Sequence, residues 1–169
     1  LLGIPAEEGP DSLPVLPLDD QAEQAAIDFL QRHGILGHTA VAIHPWTSNP
    51  SKQWPLSSAA KLLDLLNLEE KLTLVLIGGP EETAEAKKLL SGVHFPIVNF
   101  VGQLSLRGLA AFLKQCSLLV SNDSGPVHVA AAVGTPTVVI GQKEHAAAMT
   151  RWAARGAGQM ILLSPTPEE

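Results

Sequence analysis

Short apolar runs alternate with longer stretches of helical spacing along most of this chain. Runs at 40–44, 72–77, 97–100, 118–121, 137–140 and 160–163 have the length of β-strands. Those at 74–77 and 137–140 show no polar–apolar alternation, as expected of strands covered on both faces. Between the runs, 57–68, 81–90, 105–115 and 125–133 predict helices, with a weaker pattern near 144–154. An earlier helix is predicted over 19–33 from the spacing of Ala25, Ala26, Phe29 and Leu30, with acidic residues in its first turn and Gly34 and Gly37 after its end. Residues 1–18 hold four prolines and two glycines without periodicity and read as a linker or strap. Strands alternating with helices of this length imply right-handed βαβ units and an α/β fold. The expected architecture is a three-layer, Rossmann-like parallel sheet, with no internal repeat and no second domain.

Composition narrows the picture. The chain has 169 residues, of which 46% are hydrophobic, and a mean hydropathy of +0.18. That suits one domain with a well-buried sheet and excludes a disordered chain. No apolar run reaches the length of a membrane span. The first residues lack the basic and long apolar regions of a signal peptide. Cys116 is the only cysteine, which excludes an intrachain disulfide and a cysteine metal cluster. A reducing cytoplasm is the matching compartment. A formal net charge of −6 argues against non-specific nucleic-acid binding. With no Tyr, 4 Phe and 3 Trp, a stacking platform for single strands is not expected.

An acidic chain can still bind a small anion through one lysine and a helix N-terminus, and two segments carry that chemistry. The first, 44–55, reads HPWTSNPSKQWP. It leaves a strand through Pro45, and then offers Thr47, Ser48, Asn49 and Ser51 ahead of Lys52. Lys52 near hydroxyls can act as a point charge for phosphate, although an isolated lysine is more often solvated surface. Ser57 or Ser58 is placed to cap the next helix, His44 reads as a hydrogen-bonded structural residue, and Trp46 and Trp54 can cover the sheet end. The second segment, 121–136, reads SNDSGPVHVAAAVGTP. Asp123 or Ser124 can cap a helix whose first turn accepts Pro126. Gly125 permits close approach to the backbone, and the free N–H groups there suit an anion. His128 can add a hydrogen bond or, protonated, a charge. Taken alone, Asp123, Ser124, Pro126 and His128 could be purely structural.

A third place, Gly78-Gly79-Pro80-Glu81-Glu82, also follows a strand. Its glycines allow close backbone approach, and Glu81 or Glu82 can accept from a sugar or base donor. At least one of these glutamates is better explained by the helix dipole. Neither G-x-G-x-x-G nor a Walker lysine motif is present.

Taken in order, these places resemble the C-terminal half of glycosyltransferase family 9, the heptosyltransferase-like enzymes that use ADP-heptose to build the lipopolysaccharide inner core. The family's HPG-x-S with K-x-W-P appears as His44-Pro45-Trp46-Thr47-Ser48 and Lys52-Gln53-Trp54-Pro55. Its strand-ending G-G-P is Ile77-Gly78-Gly79-Pro80, and its N-D-T/S-G-P-x-H runs from Asn122 to His128. The A-A-x-G-T-P that follows runs from Ala131 to Pro136. Val101-Gly102-Gln103-Leu104-Ser105-Leu106 is similar to the family's G-x-x-S-L step. The resemblance covers about residues 40–141.

The resemblance implies a GT-B enzyme, two Rossmann-like domains facing across a cleft, of which this chain is the donor-binding half. Residues 1–18 would be the interdomain linker and 19–169 the nucleotide-sugar domain, with the N-terminal acceptor domain absent. Thr47, Ser48 and Lys52 would contact donor phosphate and sugar. Asp123, Ser124, Gly125, Pro126 and His128 would hold pyrophosphate and heptose, and Glu81 or Glu82 would face the nucleoside. Lys52 would stabilise the leaving diphosphate, with the general base in the absent domain and no metal or cofactor. The partners would be ADP-heptose and a lipid-linked saccharide. The full-length enzyme would be cytoplasmic, peripheral to the inner membrane. Two features depart from the family pattern. Gly141-Gln142-Lys143-Glu144-His145 stands where G-P-T-D-P is usual, and Trp46 replaces a small residue, which implies a narrowed pocket. The competing readings are a GT-B transferase or epimerase using a UDP-sugar, a non-catalytic nucleotide-binding module, and a ligand-free packing domain.

Overall fold

A computed structural model describes residues 15–145 and 158–164. Helix α1 spans Asp20–Arg32. Asp19 is its N-cap, accepting from the Ala22 N–H at 2.7 Å, and Gly34 beyond its end takes φ +68°. The elements that follow are β1 (Thr39–His44), α2 (Leu56–Leu66), β2 (Leu72–Leu76), α3 (Thr83–Leu90) and β3 (Val98–Asn99). Then come α4 (Leu106–Lys114), β4 (Leu118–Asn122), α5 (Gly125–Ala132), β5 (Thr137–Gln142) and β6 (Gln159–Ser164). Single 3-10 turns occupy Pro50–Lys52, Pro80–Glu82 and Lys143–His145.

The six strands form one parallel sheet in the order β3-β2-β1-β4-β5-β6. Residues 40–44 of β1 are all buried, and Ala40 to Ile43 point alternately to the two faces of the sheet. Ala40 and Ala42 join a core with Leu30 of α1, Phe112 and Leu113 of α4 and Ala130 of α5. Val41 and Ile43 join a second core with Leu63 of α2 and Ala86 and Leu89 of α3. β1, β2, β4 and β5 are therefore covered on both faces, as their uninterrupted apolar runs require, while the side chains of Met160–Leu163 on edge strand β6 are exposed. The expected three-layer α/β class is what the chain forms.

Chain order reverses between β1 and β4: β2 and β3 lie outward of β1, and β5 and β6 outward of β4. The carboxyl ends of β1 and β4 therefore flank the crevice where sheets of this kind bind ligands. His44 pairs in register with Ser121 at that edge.

Local details differ from the expectations. Glu81 and Glu82 lie in a 3-10 turn, and α3 begins after them at Thr83. Neither Ser57 nor Ser58 caps α2, whose N-cap is Pro55 with no side-chain bond. Proline fixes the entry backbone there and leaves the serines inside the first turn. The strand expected at 97–100 pairs only over Val98–Asn99. Most of the weak helical pattern near 144–154 lies outside the described residues, as does 1–14 of the expected linker. Of the linker's described part, Leu16 donates its N–H to the Ala132 carbonyl at the end of α5.

Candidate functional site

The loop after β1 is fixed from both sides. Gln53 accepts from the Thr47 N–H and donates to the Pro45 and Trp54 carbonyls. Asn122, buried at the end of β4, also donates to the Pro45 carbonyl, at 3.0 Å. Asn49 accepts from the Ser51 N–H at 3.0 Å, an Asx turn that starts the 3-10 turn carrying Lys52. The loop is thus built before any ligand arrives.

Beside it lies a cleft of about 380 Å³. Every site residue expected from sequence except His128 lines it: Thr47, Ser48, Lys52, Glu81, Glu82, Asp123, Ser124, Gly125 and Pro126. His128 is exposed on α5 and is not part of the lining. The lining also includes His44, Asn49, the Gly78-Gly79 pair and, from the start of α4, Ser105. A second hollow of about 390 Å³ lies between α1 and α4, lined by Phe29 and Phe112 together with Asp19, Arg32 and Arg107, and no residue from the ends of β1 or β4 lines it.

Lys52 does not stand alone. Its Nζ lies 2.8 Å from Asp123 Oδ2, which joins the β1–α2 loop to the β4–α5 turn across 71 residues of sequence. The helix N-terminus beside this pair is open. Ser124 is the N-cap of α5 but makes no side-chain capping bond, because its hydroxyl turns to His44. Gly125 has no positive φ, and a Cβ added there would meet nothing within 4 Å. Neither backbone conformation nor packing inside the protein calls for glycine at this position. What its missing side chain opens is the cleft.

His44 is 5% exposed and joins the two walls. Its Nδ1 lies 3.1 Å from Ser124 Oγ and 3.3 Å from Ser121 Oγ, and its Nε2 lies 3.5 Å from Glu82 Oε2. The Gly79 N–H donates to the same Glu82 oxygen at 2.7 Å. Burial pushes the Glu82 carboxyl up, but the hydrogen bond and charge of His44, with the Gly79 N–H, outweigh it and hold Glu82 below its ordinary value. Gly78 makes room for this arrangement, since a Cβ there would lie 2.5 Å from Glu82 Oε2 and 3.1 Å from the Trp46 ring. Glu82 is therefore committed to the protein. Glu81 is exposed at the cleft wall, and no described hydrogen bond or ion pair holds its carboxylate.

The expected narrowing by Trp46 does not occur. The indole is 2% exposed and packs in the core beneath β1 with Leu74 and Leu76, edge-on to His44 at 5.8 Å. Its bulk is absorbed below the sheet end. The atypical Gly141–His145 stretch packs on the first loop: His145 lies 3.3 Å from Ser51 Oγ, and Gln142 donates to the Gln53 carbonyl. Gly141, Gln142, Lys143 and His145 are not among the residues that line the cleft. His44 is hydrogen-bonded, as the sequence led one to expect, but its partners 77 and 80 residues away were not legible there.

The fold and this cleft define a doubly wound parallel α/β domain with a polar cleft at its switch point. The model of glycosyltransferase family 9 (heptosyltransferase) matches residues 2–166, and the chain belongs to that family. It is 25% identical over 139 residues to the lipopolysaccharide core heptosyltransferase OpsX of Haemophilus influenzae, covering 81% of this chain and 38% of that protein. It is 32% identical over 104 residues to lipopolysaccharide heptosyltransferase 1 of Escherichia coli K12, covering 62% of this chain and 32% of the relative. Among solved structures, a family 9 glycosyl transferase from Veillonella parvula shares the fold with a TM-score of 0.79 at 23% identity, over 92% of this chain and 44% of the other. E. coli heptosyltransferase WaaC with ADP superposes with a TM-score of 0.65 at 27% identity, over 76% of this chain and 38% of that one. The chain thus spans less than half the length of these relatives.

Proposed function

We propose that this chain is the nucleotide-sugar donor-binding part of a heptosyltransferase that adds heptose from ADP-heptose to a lipid-linked saccharide of the lipopolysaccharide inner core. The observation that carries the reading is the cleft at the switch point, where Lys52, the unobstructed Gly125 and the open N-terminus of α5 meet. The ADP-bound relative supports adenine as the base. Glycosyl transfer develops positive charge at the anomeric carbon and negative charge on the departing diphosphate. Lys52 and the N–H groups of α5 stabilise that diphosphate, a kind of contact whose loss typically costs about 2.7–4 kcal/mol of transition-state stabilisation. Thr47 and Ser48 donate to phosphate or sugar oxygens. Glu81, free where Glu82 is committed, accepts from the ribose hydroxyls. The acceptor and the general base belong to the rest of the enzyme, which works at the cytoplasmic face of the inner membrane. No helix among the described residues is long and apolar enough to cross that membrane.

Calorimetric titration with ADP, UDP and GDP tests the reading. ADP is expected to bind best, and Lys52→Ala to weaken it by roughly tenfold or more, the scale of a charged hydrogen bond. A preference for UDP would move the enzyme to another donor class. Weak, base-indifferent binding insensitive to Lys52 would make the chain a degenerate phosphate-binding module.

A further inference from the structure

His44 holds two kinds of partner. On its Nε2 side is Glu82, an acceptor when ionised, so Nε2 carries a proton and donates. On its Nδ1 side are two hydroxyls, Ser121 and Ser124. Ser121 is occupied, since it donates to the Asn122 carbonyl at 2.8 Å. The Ser124 hydroxyl lies 3.1 Å from Nδ1, 3.1 Å from the Ser121 oxygen, a weaker acceptor than an imidazole nitrogen, and 3.2 Å from that same carbonyl, which Ser121 already serves. With neutral His44, Nδ1 is a bare acceptor and draws the single Ser124 proton to itself. The oxygen that faces the cleft then offers only lone pairs, which suits a phosphate poorly.

We propose that His44 is a positioning residue for the donor: taking up one proton at Nδ1 reverses its hydrogen bond to Ser124 and frees the Ser124 proton to point at the diphosphate. The proton comes from solvent and no covalent bond changes. This inference rests on the donor-binding reading above. The contacts of His44 among the described residues are Glu82, Ser121, Ser124 and the edge of Trp46. The Glu82 carboxylate, 3.5 Å from Nε2, is the charge that would balance an imidazolium in this buried place. Lys52 and Asp123, paired with each other, and Glu81 share the cleft without touching the ring. A bound diphosphate adds a second negative charge on the Ser124 side, so ligand and proton assist each other.

The test is calorimetric titration of the full chain with ADP-heptose across about pH 6 to 8.5, the range in which histidine titrates, in buffers of different ionisation enthalpy. A sugar diphosphate has no phosphate group that titrates there, so proton uptake reports the protein. Uptake should approach one proton at the alkaline end, with affinity falling up to about tenfold per pH unit. Ser124→Ala and His44→Gln should abolish both effects, and Ser124→Thr, which keeps the hydroxyl, should restore them. Since Ser124 is only half-buried, its alanine variant separates this role from a folding defect at His44. Binding with no proton uptake, or uptake that persists in Ser124→Ala, overturns the proposal and leaves the donor reading standing. Failure of ADP-heptose to bind at any pH overturns both.

Discussion

Glycine at position 125 is informative at the scale of single residues because the protein does not need it. Its backbone is not left-handed and its Cβ position is empty. Gly125→Ala should leave thermal stability unchanged or raise it by up to about 1 kcal/mol, since alanine lowers the entropy of the unfolded chain. The same methyl group should weaken ADP binding if the diphosphate lies against this backbone. Melting curves beside ADP titration separate the two effects, and a variant equal to wild type in both would remove Gly125 from the site. That the expected site residues, apart from His128, would gather at one cleft was legible in sequence, because each segment follows a strand and so falls at the same edge of the sheet. Their pairings were not. Lys52 with Asp123 and His44 with Ser124 are made by strand order, which local spacing does not encode.

At the scale of elements, capping shows what local sequence controls. Asp19 accepts from the Ala22 N–H and also pairs with Arg107 at 2.8 Å, which ties the start of α1 to α4. Asp19→Ala should cost about 0.5–2 kcal/mol, chiefly through the cap. Asp19→Asn, which keeps the acceptor, should cost much less, because an exposed ion pair contributes little. Urea denaturation of the two variants decides between cap and charge, and equal losses would favour the charge. All six strands were legible as apolar runs, most of them because a doubly covered strand has no polar face to break the pattern, although the side chains of β6 are exposed. The ends were less so. The 3-10 turns at Pro50–Lys52 and Pro80–Glu82 follow from proline and Asx geometry, and they shifted Glu81 and Glu82 out of the helix expected to hold them.

At the scale of the whole molecule, the reversal of chain order between β1 and β4 sets where the site lies. The side chains that converge there offer donors, a cation and one free carboxylate, a set suited to holding a donor sugar. Glu82 is spent on His44 and Gly79, and Asp123 on Lys52. If the general base belongs to the rest of the enzyme, this chain alone should bind ADP-heptose and transfer no heptose to an acceptor. Product analysis by mass spectrometry checks this, and measurable transfer would place the base among these residues.

The bond between Lys52 and Asp123 bears on competition in a crowded cell. Any anion that claims the lysine must first draw it away from a carboxylate 2.8 Å away. A free phosphate or sulfate ion would gain one contact and lose another. A diphosphate that also reaches the backbone at Gly125 and the hydroxyl of Ser124 gains several at once. Discrimination is a difference between affinities, and it can be raised by making the wrong ligand's gain small. On the donor-binding reading proposed above, the closed pair would act as a threshold: abundant small anions would fall below it, and the two-phosphate bridge of a sugar nucleotide would cross it.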